Sequence, residues 1–312
     1  MFRPTIFVLL VATVLPCADA AGLPDEVHLP GTGIFPESIT STKDGSLYIG
    51  SMGKGVVYRA RPGADVAEPF IAAGSGGLLQ VFGVYADERQ RTLWVCSNPL
   101  NMQPGQPRPP SALHAFDLGS GAPKGRYEFP KDGGCNDIVT AVDGTAYATD
   151  TPGMQVLRLK KGGAALEVWA GHGVFGPAGG VLDGITIVDK RVIVNTLVTS
   201  KLFAVDVARD GSASQVTELK LTRPVLRPDG MRALDRDSLL STDGTGKIVR
   251  VTLLDHIGTV RTVKEGFDGV VSVTPVGRNA YAIEGQLAGI MRAPNTPAPP
   301  ERPYKATRVP LD

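Results

Sequence analysis

The sequence predicts an all-β protein: a six-bladed β-propeller with four-stranded blades around a central channel. Two observations lead there. The first is a short recurring frame made of an acid or amide, a small or acidic residue, and an aliphatic. It reads Glu37-Ser38-Ile39, Asn136-Asp137-Ile138, Asp183-Gly184-Ile185, Asp229-Gly230-Met231 and, more weakly, Asp268-Gly269-Val270, while Phe82-Gly83-Val84 keeps the frame without the oxygen. The copies start at 37, 82, 136, 183, 229 and 268, so the steps are 45, 54, 47, 46 and 39 residues. A period of roughly 40 to 50 residues with several short strands per unit is the mark of a propeller. The second observation is that a common turn-and-strand pattern follows most copies.

Taken in order, a turn comes about six or seven residues after the frame, at Asp44-Gly45, Asp143-Gly144, Asp189-Lys190 and Asp235-Arg236. A β-rich run follows: Leu47-Tyr48-Ile49, Ala146-Tyr147-Ala148, Val192-Ile193-Val194 and Leu239-Leu240. A second run comes at Val56-Val57-Tyr58, Val156-Leu157-Arg158, Leu202-Phe203-Ala204 and Ile248-Val249-Arg250. These runs are Val/Ile/Tyr-rich and bounded by Gly, Pro and Asp, as strands are. No long stretch of helical period appears after the first twenty or so residues. Blades should therefore start near 35, 80, 134, 181, 227 and 266, in one domain over 21–312. Glu26 to Pro30 and Lys305 to Leu311 both read as strands, and either can complete blade six.

The N-terminus reads as a secretory signal over residues 1–20, with Arg3, an apolar run from Thr5 to Leu15, and Ala18-Asp19-Ala20 as a small-x-small cleavage site. The run is too short to span a membrane. Val14-Leu15-Pro16-Cys17 weakly resembles a lipobox, against which Pro16 argues. The expected location is secreted or periplasmic, with no membrane attachment once the signal is cleaved. Two cysteines then remain, Cys96 and Cys135. Two buried free thiols are the expectation, with a disulfide between adjacent blades as the alternative. The chain has 42 % hydrophobic residues, 38 Gly, 25 Pro and a net charge of +1. That suits a well-packed core with many tight turns, and no basic footprint for nucleic acid is visible.

The ring geometry turns the frame into a site. Residues just before the innermost strands converge on the axis, and most of those positions carry carboxylate or amide oxygen. Clustered buried carboxylates repel and need compensation. An oxygen-only set fits a hard cation, calcium best, with other divalent ions as alternatives. An Asp-Gly pair alone is most often a hairpin turn. Asp183-Gly184 and Asp229-Gly230, however, precede their strands, and separate turns follow them. Asn98, Asp150, Asn195, Asp243 and Glu284 end the second strands and should form an outer polar ring, with Asn98 and Asp150 candidates to meet substrate. Two long loops, Ser97 to Ser111 and Gly171 to Leu182, are candidate lids, and the second carries His172, the one histidine placed to act at the channel mouth. His114 reads as structural, and His28 and His256 as surface residues. No serine-hydrolase elbow, zinc-peptidase motif or phosphate loop is present.

Pro36-Glu37-Ser38, Cys135-Asn136-Asp137-Ile138, Leu182-Asp183-Gly184-Ile185 and Arg227-Pro228-Asp229-Gly230-Met231 together resemble the gluconolactonase/regucalcin family of six-bladed calcium propellers, over roughly residues 35 to 292. Asn136-Asp137-Ile138 followed by Ala148-Thr149-Asp150 is also similar to the serum paraoxonases. The resemblance implies Glu37, Asp183 and Asp229 as metal ligands, Asn136 as a further ligand or substrate contact, and Asp229 as general base. Where Asp183 stands the family usually has Asn, and where Gly134 stands some members have an Arg that grips a sugar acid. The implied function is an exported, metal-dependent hydrolase of a small lactone or ester. The alternative is a non-catalytic propeller that binds a small ligand or a protein.

Overall fold

The computed structural model describes residues 22–100, 108–171, 173–177, 179–292 and 296–311. It is a six-bladed propeller. Blade one consists of Pro36–Ser41, Leu47–Ser51, Val56–Ala60 and Glu68–Ile71, paired antiparallel in that order. Blades two, three and four repeat the meander from inner strands Gln80–Asp87, Cys135–Thr140 and Leu182–Val188. Blade five starts at the short strand Met231–Ala233 and carries an extra edge strand, Lys220–Leu221, parallel to Ile257–Gly258. The six inner strands touch in cyclic order, and the sixth, Val270–Val276, returns to the first. Among the described residues there is no α-helix, only three-residue 3-10 turns at Ser75–Gly77 and Leu287–Gly289, and no helix is long and apolar enough to cross a membrane.

Both termini close the ring. Tyr304–Pro310 is the third strand of blade six and Glu26–Leu29 its outermost. The two candidate strands thus complete the same blade together. Lys305 pairs with Glu26, and Arg308 with Asp25, across that seam. Beneath it Tyr304, Tyr281, Ile34 and Ile49 are fully buried in one apolar cluster that joins blades six and one.

Alternating strand residues fill the wedges between blades. The runs Leu47–Ser51, Ala146–Asp150 and Ser238–Asp243 are buried along their whole length, because each second strand is covered on both faces by its neighbours. The turns predicted after the frames are present. Asp44 Oδ1 accepts from the Ser46 amide at 2.9 Å, and Asp143 Oδ1 accepts from Thr145 N, also at 2.9 Å. Each is an aspartate folding back onto its own turn.

Cys96 and Cys135 form a disulfide with their Cα atoms 5.1 Å apart, which replaces the expected pair of free thiols. The second strand of blade two lies against the first residue of blade three, a proximity that sequence spacing could not express. The bridge closes a loop of 39 residues and anchors the segment that begins Cys135-Asn136-Asp137. Replacing both cysteines by alanine should cost about 3 kcal/mol, seen as a lower urea midpoint under non-reducing conditions. An unchanged midpoint would show that the bridge does not form.

Candidate functional site

Four copies of the frame, those starting at 37, 82, 136 and 183, mark an irregularity at the start of an inner strand, and blade six has one too. The pairing register slips between Pro36 and Ser38, Val81 and Val84, Cys135 and Ile138, Leu182 and Ile185, and Val270 and Ser272. A bulge there turns Glu37, Asn136 and Asp183 out of the sheet toward the axis. Asp229 lies just ahead of Met231–Ala233. The small second residue of the frame has its own cause. A Cβ on Gly83 would come within 2.3 Å of the Asn136 carbonyl oxygen, and one on Gly184 within 2.4 Å of the Asp229 carbonyl oxygen. Where the second residue has a side chain, that side chain reaches the next blade. Ser272 Oγ accepts from Ile39 N (3.3 Å), Ser38 Oγ from Val84 N (3.2 Å) and Asp137 Oδ2 from Ile185 N (3.3 Å).

This register corrects the weakest copy. Ser272 does in blade six what Ser38 does in blade one, so the counterpart of Glu37 is Val271, not Asp268. The Asp268 side chain is exposed and pairs with Arg302 at 2.9 Å. The sixth frame is displaced by three residues, and blade six contributes no oxygen ligand to the hub.

Glu37, Asp183 and Asp229 meet at the hub as an electrostatic cluster. Burial, reinforced by the charges of Asp183 and Asp137, pushes Glu37 well above the usual carboxylate range, and Arg232 offsets this only in part. Asp183 is raised by burial and then by Asp229 and Asp137; Asp229 is raised by burial and then by Glu37. Asp183 and Asp229 lie close enough for each to perturb the other's carboxyl group. Glu37 Oε2 and Asp183 Oδ1 are buried and meet no hydrogen-bond partner among the described residues.

Below this cluster sits a cation that the frame did not reveal. Arg232 is 4 % exposed, and its guanidinium donates to Asp137 through two bonds, Nη1 to Oδ2 at 2.7 Å and Nη2 to Oδ1 at 3.0 Å. It also donates to the Val84 carbonyl (2.9 Å), to Ser38 Oγ (3.3 Å) and to its own blade at the Met231 carbonyl (2.8 Å). One side chain thus ties blades one, two, three and five. Burial weakens its hold on the proton, but the charge and hydrogen bonds of Asp137 more than restore it, so its pKa ends above the ordinary value. The sequence signal lay three residues after each frame start, where Thr40, Tyr85, Val139, Thr186, Arg232 and Thr274 all line the channel.

The outer polar ring holds the frame segments in place. Asn98 clasps Cys135, donating to its carbonyl at 2.7 Å and accepting from its amide at 3.0 Å. Asp150 is 1 % exposed and accepts from Gly134 N (2.9 Å), Gly153 N (3.3 Å) and Gln155 Nε2 (2.8 Å). Asn195 bridges Gly184 N and the Asp229 carbonyl, and Asp243 accepts from Leu226 N. Asn136 is partly exposed between the Cys135 bridge and Asp137. His172 and residues 101–107 of the first candidate lid lie outside the described residues. His114 is buried and stacked on Phe116, and burial lowers its pKa to about 4. A cavity of about 980 Å³ does not hold the carboxylates; it opens at the far mouth, where the inner strands end.

The residues fit a hard divalent ion by donor chemistry. The hub offers oxygen only, Glu37, Asp137, Asp183 and Asp229 face a single arginine, and two buried carboxylate oxygens have no partner. Among the described residues no three His, Cys, Asp or Glu side chains form a ready-made metal cage. The amide of Asn136 is a further oxygen donor in the same frame.

Fold and hub together define a six-bladed propeller with an acidic axial site. The fold is shared with a gluconolactonase from Xanthomonas campestris (18 % identity, 93 % of this chain and 92 % of that one, TM-score 0.62). It is shared equally with the Malassezia sympodialis allergen Mala s 1 (14 %, 92 % and 96 %, 0.70) and with virginiamycin B lyase from Staphylococcus aureus (16 %, 85 % and 82 %, 0.61). No protein-family model and no curated protein matches the sequence.

Removing one partner of a buried ion pair leaves the other charge uncompensated. Arg232→Met should therefore lose about 3–5 kcal/mol of stability, and adding Asp137→Leu should return part of it. Urea unfolding of the two variants checks this, and an Arg232→Met protein as stable as the parent would remove the brace.

Proposed function

We propose that the hub is the active site of a metal-dependent hydrolase acting on lactones or related esters, with a divalent ion held by Glu37, Asn136, Asp183 and Asp229. Calcium is the favoured ion on donor chemistry. The observation that carries this reading is the crowding of Glu37, Asp183 and Asp229 at one buried place, with two unpartnered oxygens and raised pKa values. Groups perturbed in this way by burial and like charge are the ordinary material of active sites. The sequence resemblance to lactone hydrolases and the shared fold of the Xanthomonas gluconolactonase support the same reading.

A bound divalent ion supplies Lewis-acid polarisation of the ester carbonyl and stabilises charge on its oxygen. The chain's own residues do the rest. Asp229 is the general base that takes a proton from the attacking water; burial and the charge of Glu37 raise its pKa in the metal-free hub, and a bound cation would lower it again. Asp183, whose charge and that of Asp229 perturb one another, would hold the ion beside Asp229. Asn136 orients the substrate on this reading. Gly134, where some relatives in the resemblance carry a sugar-acid-gripping arginine, leaves room for a lactone other than gluconolactone. The protein is exported on this reading, which the Cys96–Cys135 bridge supports, since disulfides persist in oxidising compartments.

A panel of aldono- and aliphatic lactones should show turnover that chelator abolishes and calcium restores. Asp229→Asn should reduce kcat by about 10²-fold or more while leaving thermal unfolding cooperative. Calcium binding without turnover on any lactone or ester would instead make the hub a non-catalytic binding site.

The raised carboxylates also fix a pH dependence with a definite sign. In chelator the folded state binds more protons than the unfolded chain, so stability falls as pH rises. The fall should begin near the ordinary carboxylate range, about pH 4, and continue through the raised values of Glu37, Asp183 and Asp229. Calcium should raise Tm more at pH 8 than at pH 5. A calcium shift that is larger at pH 5 would contradict the cluster.

A further inference from the structure

We infer that the far mouth of the channel is a second, separate binding site for an amphiphilic organic anion, a carboxylate on an apolar body. The cavity there is about 980 Å³, at the upper end of the size of small-molecule sites. It is lined by the C-terminal ends of the inner strands, whereas the hub carboxylates lie at their N-terminal starts. Arg232 and Tyr85 stand between the two, with the guanidinium 5.8 Å from the ring centroid. The walls are apolar, with Tyr85, Val139, Tyr147, Ile187 and Val192. At the rim Val142 is 87 % exposed and Val207 38 % exposed, apolar surface left uncovered where a ligand would enter.

The charge on this lining is predominantly positive. Arg89, Arg158, Lys160, Lys161, Lys190 and Arg232 face the cavity against only Asp143 and Asp210. Some of these cations are already matched: Arg232 by Asp137, and Arg158 and Lys160 by the same Glu167 at 2.6 and 3.1 Å. Asp143 and Asp210 are engaged in their own turns, each accepting a backbone N–H at 2.9 Å. Lys161 and Lys190 have no carboxylate within 4.0 Å among the described residues. At the floor Arg232 Nε is buried and unpartnered. Apolar walls under unmatched cations suit a ligand that brings both a hydrocarbon body and a negative head. A purely polar anion would leave the walls unfilled, and a neutral hydrophobe would leave the lysines unanswered.

The test is isothermal titration of the intact protein with decanoate, decanol and inorganic phosphate. Decanoate should bind one to one, at least tenfold more tightly than decanol or phosphate. Lys161→Glu with Lys190→Glu should weaken decanoate at least tenfold; both are exposed, so the fold is kept, and lactone turnover at the hub should be unchanged. Glu37→Gln should leave decanoate binding intact, which separates this site from the hub. No decanoate binding, equal binding of decanol or phosphate, indifference to the lysine reversals, or loss with Glu37→Gln would each overturn the inference.

Discussion

The structure depends on how six strands can approach one axis when several of them bring charge. The answer is the Arg232–Asp137 pair. A carboxylate cluster closed off from water is unfavourable by several kcal/mol per unpaired charge, and Asp137 lies directly beneath one. Arg232 reaches in from blade five, meets Asp137 of blade three with two hydrogen bonds and completes its valence on the backbone of blades two and five and the Ser38 hydroxyl. It neutralises the lower carboxylate and leaves Glu37, Asp183 and Asp229 as the uncompensated set. A divalent ion would then answer a residual charge that the protein itself has not cancelled.

The same constraint explains the repeated frame. Its second position is glycine at 83, 184 and 230, where neighbouring backbone passes within 2.3–2.9 Å of the would-be Cβ, and Ser or Asp where a side chain can capture the amide of the next blade. Its first position is free to vary because a bulge turns it into the channel. Glu, Asn, Asp and Phe all occur there, so the fold does not demand the carboxylates.

Most of the fold was legible because propeller blades repeat. The period, the Asp turns and the short β-rich runs located six blades and left only the closing strands undecided. At the hub, Glu37, Asp183 and Asp229 lie near enough to raise one another's pKa values, though not as a ready-made metal cage among the described residues. Asp268 misled because its Asp-Gly-Val copies the frame while the bulge lies at Val271, a register that only strand pairing reveals. Arg232 went unread because a charged residue between Met231 and Ala233 looks like an exposed strand position; its neighbours come from chain segments some 95 to 194 residues away. Asn98 and Asp150 announced polarity at the right place, but not that their side chains would be engaged by Cys135 and Gly134.

The channel is thus divided into two chambers of opposite sign by one ion pair and one aromatic ring. Above Arg232 and Tyr85 the groups are carboxylates and amides; below them are hydroxyls, aliphatic walls and lysines. Arg232, the side chain that braces four blades, stands between the two chambers. On the proposed reading each mouth would admit and release its own ligand. The Arg232 guanidinium touches both chambers: it bonds to Asp137 near the carboxylates and also lines the cavity below.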